Sequence, residues 1–212
     1  WQVDVGNNPA HMPQQHPAIG QNGFIYAAGS SHTVNAVSAD GTVQWTFTKG
    51  ELDTDGSPAV GQDGRIYQAF SDRVVSLLPD GSESWQYSST GGDTDSSVAI
   101  FNTGYQCCNP VDRVLVSSNG NSGLLAIKST GSKHWQTAFQ KDGGLNSSPA
   151  IDRDGDVLIG ANDGKIRVLN NAGAVKWTFT ADHQSIRGTA AIAAKRGYIG
   201  DDSGTVYCFG DN

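Results

Sequence analysis

Two glutamates in 212 residues, three cysteines and no long apolar run mark out what this sequence is not. No stretch approaches the roughly 20 apolar residues of a membrane helix, so no helical membrane span is expected. Only Glu51 and Glu83 are glutamates, so a glycosidase-type carboxyl pair would have to come from aspartates. Charged side chains make up 17% against 37% apolar, low in charge for a globular chain yet not the profile of a disordered one. Fourteen basic residues face 21 acidic ones, and the formal charge of −7 argues against a nucleic-acid partner. No segment holds a 3.6-residue period long enough for a helix. A Gly-x-Ser-x-Gly elbow and a phosphate-binding loop are both missing. His11, His16, His32, His134 and His183 show no metal-ligand spacing on a shared element. Trp1 opens a folded pattern, so no signal peptide is expected at this end.

What the sequence does contain is a repeat. Trp1, Trp45, Trp85, Trp135 and Trp177 are separated by 44, 40, 50 and 42 residues. A second marker keeps the same step: Pro17-Ala18-Ile19, Pro58-Ala59-Val60, Val98-Ala99-Ile100, Pro149-Ala150-Ile151 and Ala190-Ala191-Ile192. Both rulers lengthen in the third unit, which places one insertion there. Each unit reads as four short strands divided by turns such as Gln62-Asp63-Gly64, Ala39-Asp40-Gly41 and Pro79-Asp80-Gly81, whose glycines supply the positive φ that tight hairpins need. Four-stranded units of about 40 residues predict an all-β propeller.

The last unit has three strands before the chain reaches Asn212, and the missing outer strand matches Trp1-Gln2-Val3-Asp4. The expectation is a single five-bladed domain over 1–212. Its blades span about 14–49, 54–89, 95–140, 146–181 and 188–212, the last completed by 1–5 and the ring closed there. The alternative is an excerpt of a longer propeller in which Trp1 finishes an upstream blade. The five tryptophans share one repeat position and are expected to anchor neighbouring blades to each other.

The segment from Gly164-Lys165-Ile166-Arg167-Val168-Leu169 through Gly173 to Trp177 and Phe179 resembles the pyrroloquinoline-quinone-like repeat family. Matching pieces run from Val37 through Gly41 to Trp45 and Phe47, and from Ile127 through Gly131 to Trp135. The resemblance covers essentially the whole chain and implies the propeller fold. It does not fix a chemistry, because that family holds quinoprotein dehydrogenases as well as cofactor-free scaffold and sensor propellers. It implies residence outside the cytoplasm, periplasmic or secreted.

The insertion carries Cys107-Cys108, between the first and second strands of the third blade. The resemblance offers one functional role for this pair, a vicinal disulfide against a quinone cofactor with calcium. The plainer reading is a loop-stiffening vicinal disulfide or two thiols. Cys208 falls at the small position of a third strand and is expected to be a buried core thiol.

Loops joining an outer strand to the next inner strand converge on one mouth of a propeller's channel. Here they bring Asp53 and Asp55, Asp93 and Asp95, Asn146, His183 and Arg187 to that mouth. A ring of carboxylates would attract a cation, an amine or a basic peptide segment, and two Asp-x-Asp loops with Asn146 would offer oxygens to calcium. The plainer reading is that these side chains satisfy loop backbone N–H groups. The leading functional reading is a non-catalytic scaffold binding a protein segment or glycan at the mouth, without a resident cofactor or metal and with scope to be one module of a larger chain. Its rivals are a dehydrogenase using pyrroloquinoline quinone and calcium, a sugar-binding lectin, and a polysaccharide-active enzyme.

Overall fold

The computed structural model describes residues 1–6, 15–29, 32–50, 52–54, 56–88, 92–94, 96–102, 112–118, 123–139, 144–145, 147–181 and 185–210. Among them there is no helix, and so none long and apolar enough to cross a membrane. Nineteen strands fall into five antiparallel sheets. The first sheet contains β1 (Ala18–Ile19), β2 (Ile25–Gly29), β3 (Thr33–Val37) and β4 (Val43–Thr48). The second contains β5 (Ala59–Val60), β6 (Ile66–Phe70), β7 (Arg73–Leu77) and β8 (Glu83–Ser88). The third contains β9 (Ala99–Asn102), β10 (Asp112–Ser118), β11 (Gly123–Lys128) and β12 (Lys133–Thr137). The fourth contains β13 (Ala150–Ile151), β14 (Val157–Gly160), β15 (Lys165–Leu169) and β16 (Val175–Thr180). The fifth contains β17 (Ala191–Ala193), β18 (Arg196–Gly200) and β19 (Val206–Phe209). Each sheet is a meander whose strands pair in chain order, the blade architecture of a β-propeller.

Local chemistry sets each hairpin. Gly41, Gly81, Gly131 and Gly173 all hold φ between 81° and 88°, a region closed to most L-residues. The side chain at the head of the turn then ties the loop down. Asp80 Oδ1 accepts the Ser82 amide at 3.0 Å, and Asn170 Oδ1 accepts the amides of Ala172 and Ala174 at 3.0 and 2.9 Å. Asp152 does the same for the amides of Asp154 and Asp156, which makes this acidic segment a hairpin turn. Beside the tryptophan every complete outer strand slips register by one residue, between Ala36 and Val37, Ser76 and Leu77, Ala126 and Ile127, and Val168 and Leu169. This bulge, invisible in the sequence pattern, adds twist where the strand turns outward.

Four apolar clusters hold the five sheets together, one at each joint. At the first joint Tyr26, Val34 and Ala36 of one sheet meet Ile66, Val75 and Leu77 of the next. At the third, Leu115, Leu124 and Ala126 meet Val157, Ile159 and Leu169. A fully buried Val, Leu or Ile contributes about 1.5–3 kcal/mol, so each joint is a small core of its own. The tryptophans close the outer rim of these joints. Trp45 Nε1 donates to the Pro79 carbonyl, Trp85 to Ser129 and Trp135 to Asn171, at 2.9, 2.7 and 2.9 Å.

Trp1 makes the equivalent bond to Ala39 on the first sheet, at 2.9 Å. The Val5 carbonyl accepts from Asn35 Nδ2 and Thr33 Oγ1 at 2.9 and 3.2 Å, so residues 1–6 lie along the first sheet as an outer strand of a preceding blade would. The other half of the expected closure is not seen: among the described residues, none of residues 1–5 pairs with β19 and the fifth sheet has three strands. Cys208 is correspondingly exposed rather than buried, a correction to its core assignment. Its counterparts Ala36, Ser76 and Ala126 are buried because a following sheet covers them, whereas among the described residues no sheet packs on Cys208.

Candidate functional site

Where they are described, the loops that leave the outer strands are tied down by hydrogen bonds to the neighbouring sheets. Thr54 and Thr94 are buried at equivalent positions. Thr54 Oγ1 donates to the Gly29 carbonyl at 2.7 Å, and Thr94 Oγ1 reaches the Phe70 and Ser71 carbonyls at 3.1 and 2.9 Å. In the next two loops Leu145 and Ile186 fill the same place with apolar side chains, and their amides bond to the Ser118 and Ala161 carbonyls.

Three residues further on, a relay of hydroxyls links loop to loop. The His16 amide donates to Ser57 Oγ at 2.8 Å, the Ser57 amide to Ser97 Oγ at 3.0 Å and the Ser97 amide to Ser148 Oγ at 2.9 Å. Gln68, fully buried, adds a bond from Nε2 to the Gly56 carbonyl at 2.8 Å. Gly56 admits no side chain, since a Cβ there would stand 2.2 Å from the Ser96 carbonyl oxygen. The sequence signal for the relay is the serine before three of the five inner strands, Ser57, Ser97 and Ser148, although its partners lie about 40 to 50 residues away.

With the backbone so occupied, the charged groups stand out. Asp53 and Asp93 precede the buried threonines at equivalent positions in successive loops. The Asp53 carboxylate lies 3.3 Å from Nδ1 of His32, in the turn between β2 and β3, without hydrogen-bond alignment. His32 holds a positive φ of 64°, an uncommon conformation for a side-chain-bearing residue. Nothing in the sequence singled out His32, because its role depends on the hairpin that carries it. Asp93 is exposed, and no ion pair involving it occurs among the described residues. Arg187 pairs with Asp202, its Nε 3.4 Å from Asp202 Oδ2. Asp55, Asp95, Asn146 and His183 lie outside the described residues, as do Cys107 and Cys108, although β9 and β10 bracket the insertion as expected.

A second charged feature escaped the sequence reading. Arg167, buried on the fourth sheet, forms a two-pronged pair with Asp163 at 3.1 and 2.5 Å and lies 4.7 Å above the Phe139 ring. Burial works against ionisation of Asp163, but the Arg167 hydrogen bond and charge, with the Lys165 amide, hold its carboxyl below the ordinary value. At the opposite end of the fourth joint a cleft of about 720 Å³ is lined by Asp152, Asp156, Trp177, Ile192, Arg196 and Phe209. It occupies the place that a glycine turn fills beneath Trp45, Trp85 and Trp135 at the other joints. Among the described residues no group of three or more His, Cys, Asp or Glu side chains is placed to hold a metal ion.

No curated protein sequence is significantly similar to the chain. Its structure is similar to that of BamB from Moraxella catarrhalis, with a TM-score of 0.74 and 20% identity over 93% of this chain and 58% of that one. It is similar to the computationally designed Ika8 protein, with a TM-score of 0.74 and 11% identity over 92% and 57%. The quinohemoprotein alcohol dehydrogenase from Comamonas testosteroni gives a TM-score of 0.75 and 14% identity over 94% and 41%. At these identities the likeness is one of fold, and the chain spans less than two thirds of each. The family model described as "Outer membrane protein assembly factor BamB" matches residues 1–103 and again 100–210. The repeated tryptophan rim, the glycine turns and this double match place the chain in the PQQ-like repeat propeller family.

Proposed function

We propose that this chain is a non-catalytic binding and scaffold module that takes a protein segment, of basic character, at the end where Asp53 and Asp93 stand. In this reading each sheet is one blade, five in all, and the last requires a fourth strand of the kind residues 1–5 offer. The observation that carries the proposal is the relay from His16 through Ser57 and Ser97 to Ser148. It uses the loops' own backbone donors, so the exposed Asp93 and half-exposed Asp53 are presented on a fixed frame. A preorganised surface loses little entropy on binding, and like charges gathered at one opening steer a cationic partner toward it. The family's description as an assembly factor supports a protein ligand, a place outside the cytoplasm and a role as one part of a larger assembly. A glycan is the second ligand class to test at the same mouth.

The test is binding of Lys/Arg-rich peptides, with a neutral glycan panel run in parallel, to the wild-type chain and to variants with alanine at Asp53, Asp55, Asp93 and Asp95. Peptide affinity falling at least tenfold in the quadruple variant, with circular dichroism and urea midpoint unchanged, supports the reading. Affinity that ignores all four substitutions removes the mouth as the site. Glycan binding without peptide binding replaces the ligand class. A titration with pyrroloquinoline quinone and excess calcium tests the dehydrogenase alternative through tryptophan fluorescence.

A further inference from the structure

Two positions of the repeat meet within each of the middle sheets. One is the residue before the first buried residue of the second strand, which is Arg65, Arg113 and Asp156 in the second, third and fourth sheets. The other is the residue before the tryptophan, which is Ser84, His134 and Lys176. In the second sheet Arg65 donates to the Ser84 hydroxyl and also pairs with Asp63, Nε to Oδ2, at 3.0 Å. In the fourth sheet the two positions form the Lys176–Asp156 ion pair. The third sheet instead places two bases there, and a third, Lys128, stands directly across from Arg113 in the strand register. The residue at the place of Asp63, two before the arginine, is Val111. Among the described residues no carboxylate pairs with Arg113, Lys128 or His134. Arg113 is half-buried and held by a neutral partner, since its Nη1 donates to the backbone and side-chain oxygens of Asn171 in the β15–β16 turn. The same backbone oxygen accepts Trp135 Nε1 at 2.9 Å, so the guanidinium is fixed against the joint with Nη2 and Nε unused. Burial holds Arg113 below its ordinary value, with no carboxylate to offset it. Burial, and then the charges of Arg113 and Lys128, hold the His134 imidazole below its ordinary value too.

We propose that Arg113, Lys128 and His134 form a binding site for an oxyanion, the phosphate or carboxylate group of a small ligand. In a chain of formal charge −7, an arginine and a lysine facing each other beside an imidazole are a repulsive arrangement that a bound anion relieves. The guanidinium offers its unused edge, Nη2 and Nε, as a two-pronged donor to paired oxygens. Lys128, exposed at the end of β11, adds an ammonium, and the neutral imidazole of His134 adds a ring N–H. The site stands at the β11–β12 turn, the opposite end of its sheet from the loop that leaves β12 toward the mouth. This inference is therefore independent of what the mouth binds.

The experiment titrates inorganic phosphate and, separately, succinate into the 212-residue chain at constant ionic strength. Binding is followed by calorimetry and by the ring-proton magnetic resonance signals of His134. Arg65→Gln is the control, because that arginine holds the same repeat position with a carboxylate already on it. Support is saturable one-to-one binding of either anion that weakens at least tenfold in Arg113→Gln and at least threefold in Lys128→Gln, and is unchanged in Arg65→Gln. The bound anion should also raise the pH at which His134 titrates, since it offsets the two cations beside the ring. Lys128 is exposed, so its variant keeps the wild-type circular dichroism even if Arg113→Gln loosens the joint. Binding of phosphate without succinate assigns a phosphate group, and the reverse assigns a carboxylate. Heats that fail to saturate with both anions overturn the proposal, as does an affinity that Arg113→Gln and Lys128→Gln leave unchanged. A His134 titration that neither anion moves overturns it as well.

Discussion

The indole of Trp45 lies flat over Gly81 of the following sheet, so close that a Cβ there would come within 2.6 Å of Cδ2. The Nε1 bond to Pro79 fixes the ring in that place. Gly81 therefore serves two needs, a positive φ of 88° and room for the ring. Gly23 serves only the first, with φ of 80° and nothing near its missing Cβ. Gly23→Ala should cost the left-handed backbone penalty alone, about 1–2 kcal/mol. Gly81→Ala should lose at least about 1 kcal/mol more through overpacking. Urea unfolding of the two variants measures the gap, and equal losses would mean that the indole moves aside freely.

Arg167 and Asp163 make the protein's stability sensitive to acid. Because the folded carboxyl titrates below its unfolded value, the pair contributes stability above that unfolded value, and the contribution is lost as pH falls through the lower folded one. Arg167→Met leaves the half-buried Asp163 with the Lys165 amide and the more distant Lys165 ammonium, and should cost about 2 kcal/mol near neutral pH. The deficit relative to wild type should shrink as the pH drops below about 4, where the carboxyl of the unfolded chain takes up its proton before the folded pair does. Urea midpoints collected along that pH series decide it. A deficit constant with pH would assign the loss to packing on Phe139 rather than to charge.

The hydroxyl relay yields a directional prediction. Ser97→Ala removes the acceptor for the Ser57 amide but leaves the Ser97 amide bonded to Ser148. The expected loss is about 1–3 kcal/mol, the cost of a donor left unpaired away from water. Hydrogen exchange should accelerate at Ser57 and not at Ser97. Acceleration at Ser97 instead would mean that the loops are held by something other than the relay.

Much of this architecture was legible in the amino-acid order because a propeller repeats its own rules. Tryptophan spacing and Asp-Gly turns mark strand ends, and both are local signals that period alone makes visible. The bulge beside each tryptophan left no such mark, since it depends on how Trp45 meets Ala36 across a hairpin. Relations across sheets were equally silent. Asp53 faces His32 and Arg187 pairs with Asp202, and neither contact joins residues that the repeat spacing connects. Cys208 shows the limit most plainly. Its own strand resembles Ala36 and Val37 closely enough to suggest burial, yet burial is conferred by the neighbour and not by the strand.

The sameness of the joints also bears on how such a chain changes over generations. Each sheet meets the next through one recurring pair of faces, and at the first three joints an indole is seated on a glycine turn at the rim. A duplicated unit of about 40 residues would arrive already carrying both faces, and a lost unit would leave two surfaces that still match. The joint-forming residues of β9 and β10, Ile100, Val114 and Val116 among them, keep the repeat positions on either side of the insertion. The lineage can lengthen, shorten or decorate its propeller one gene segment at a time, without inventing a new contact at any stage.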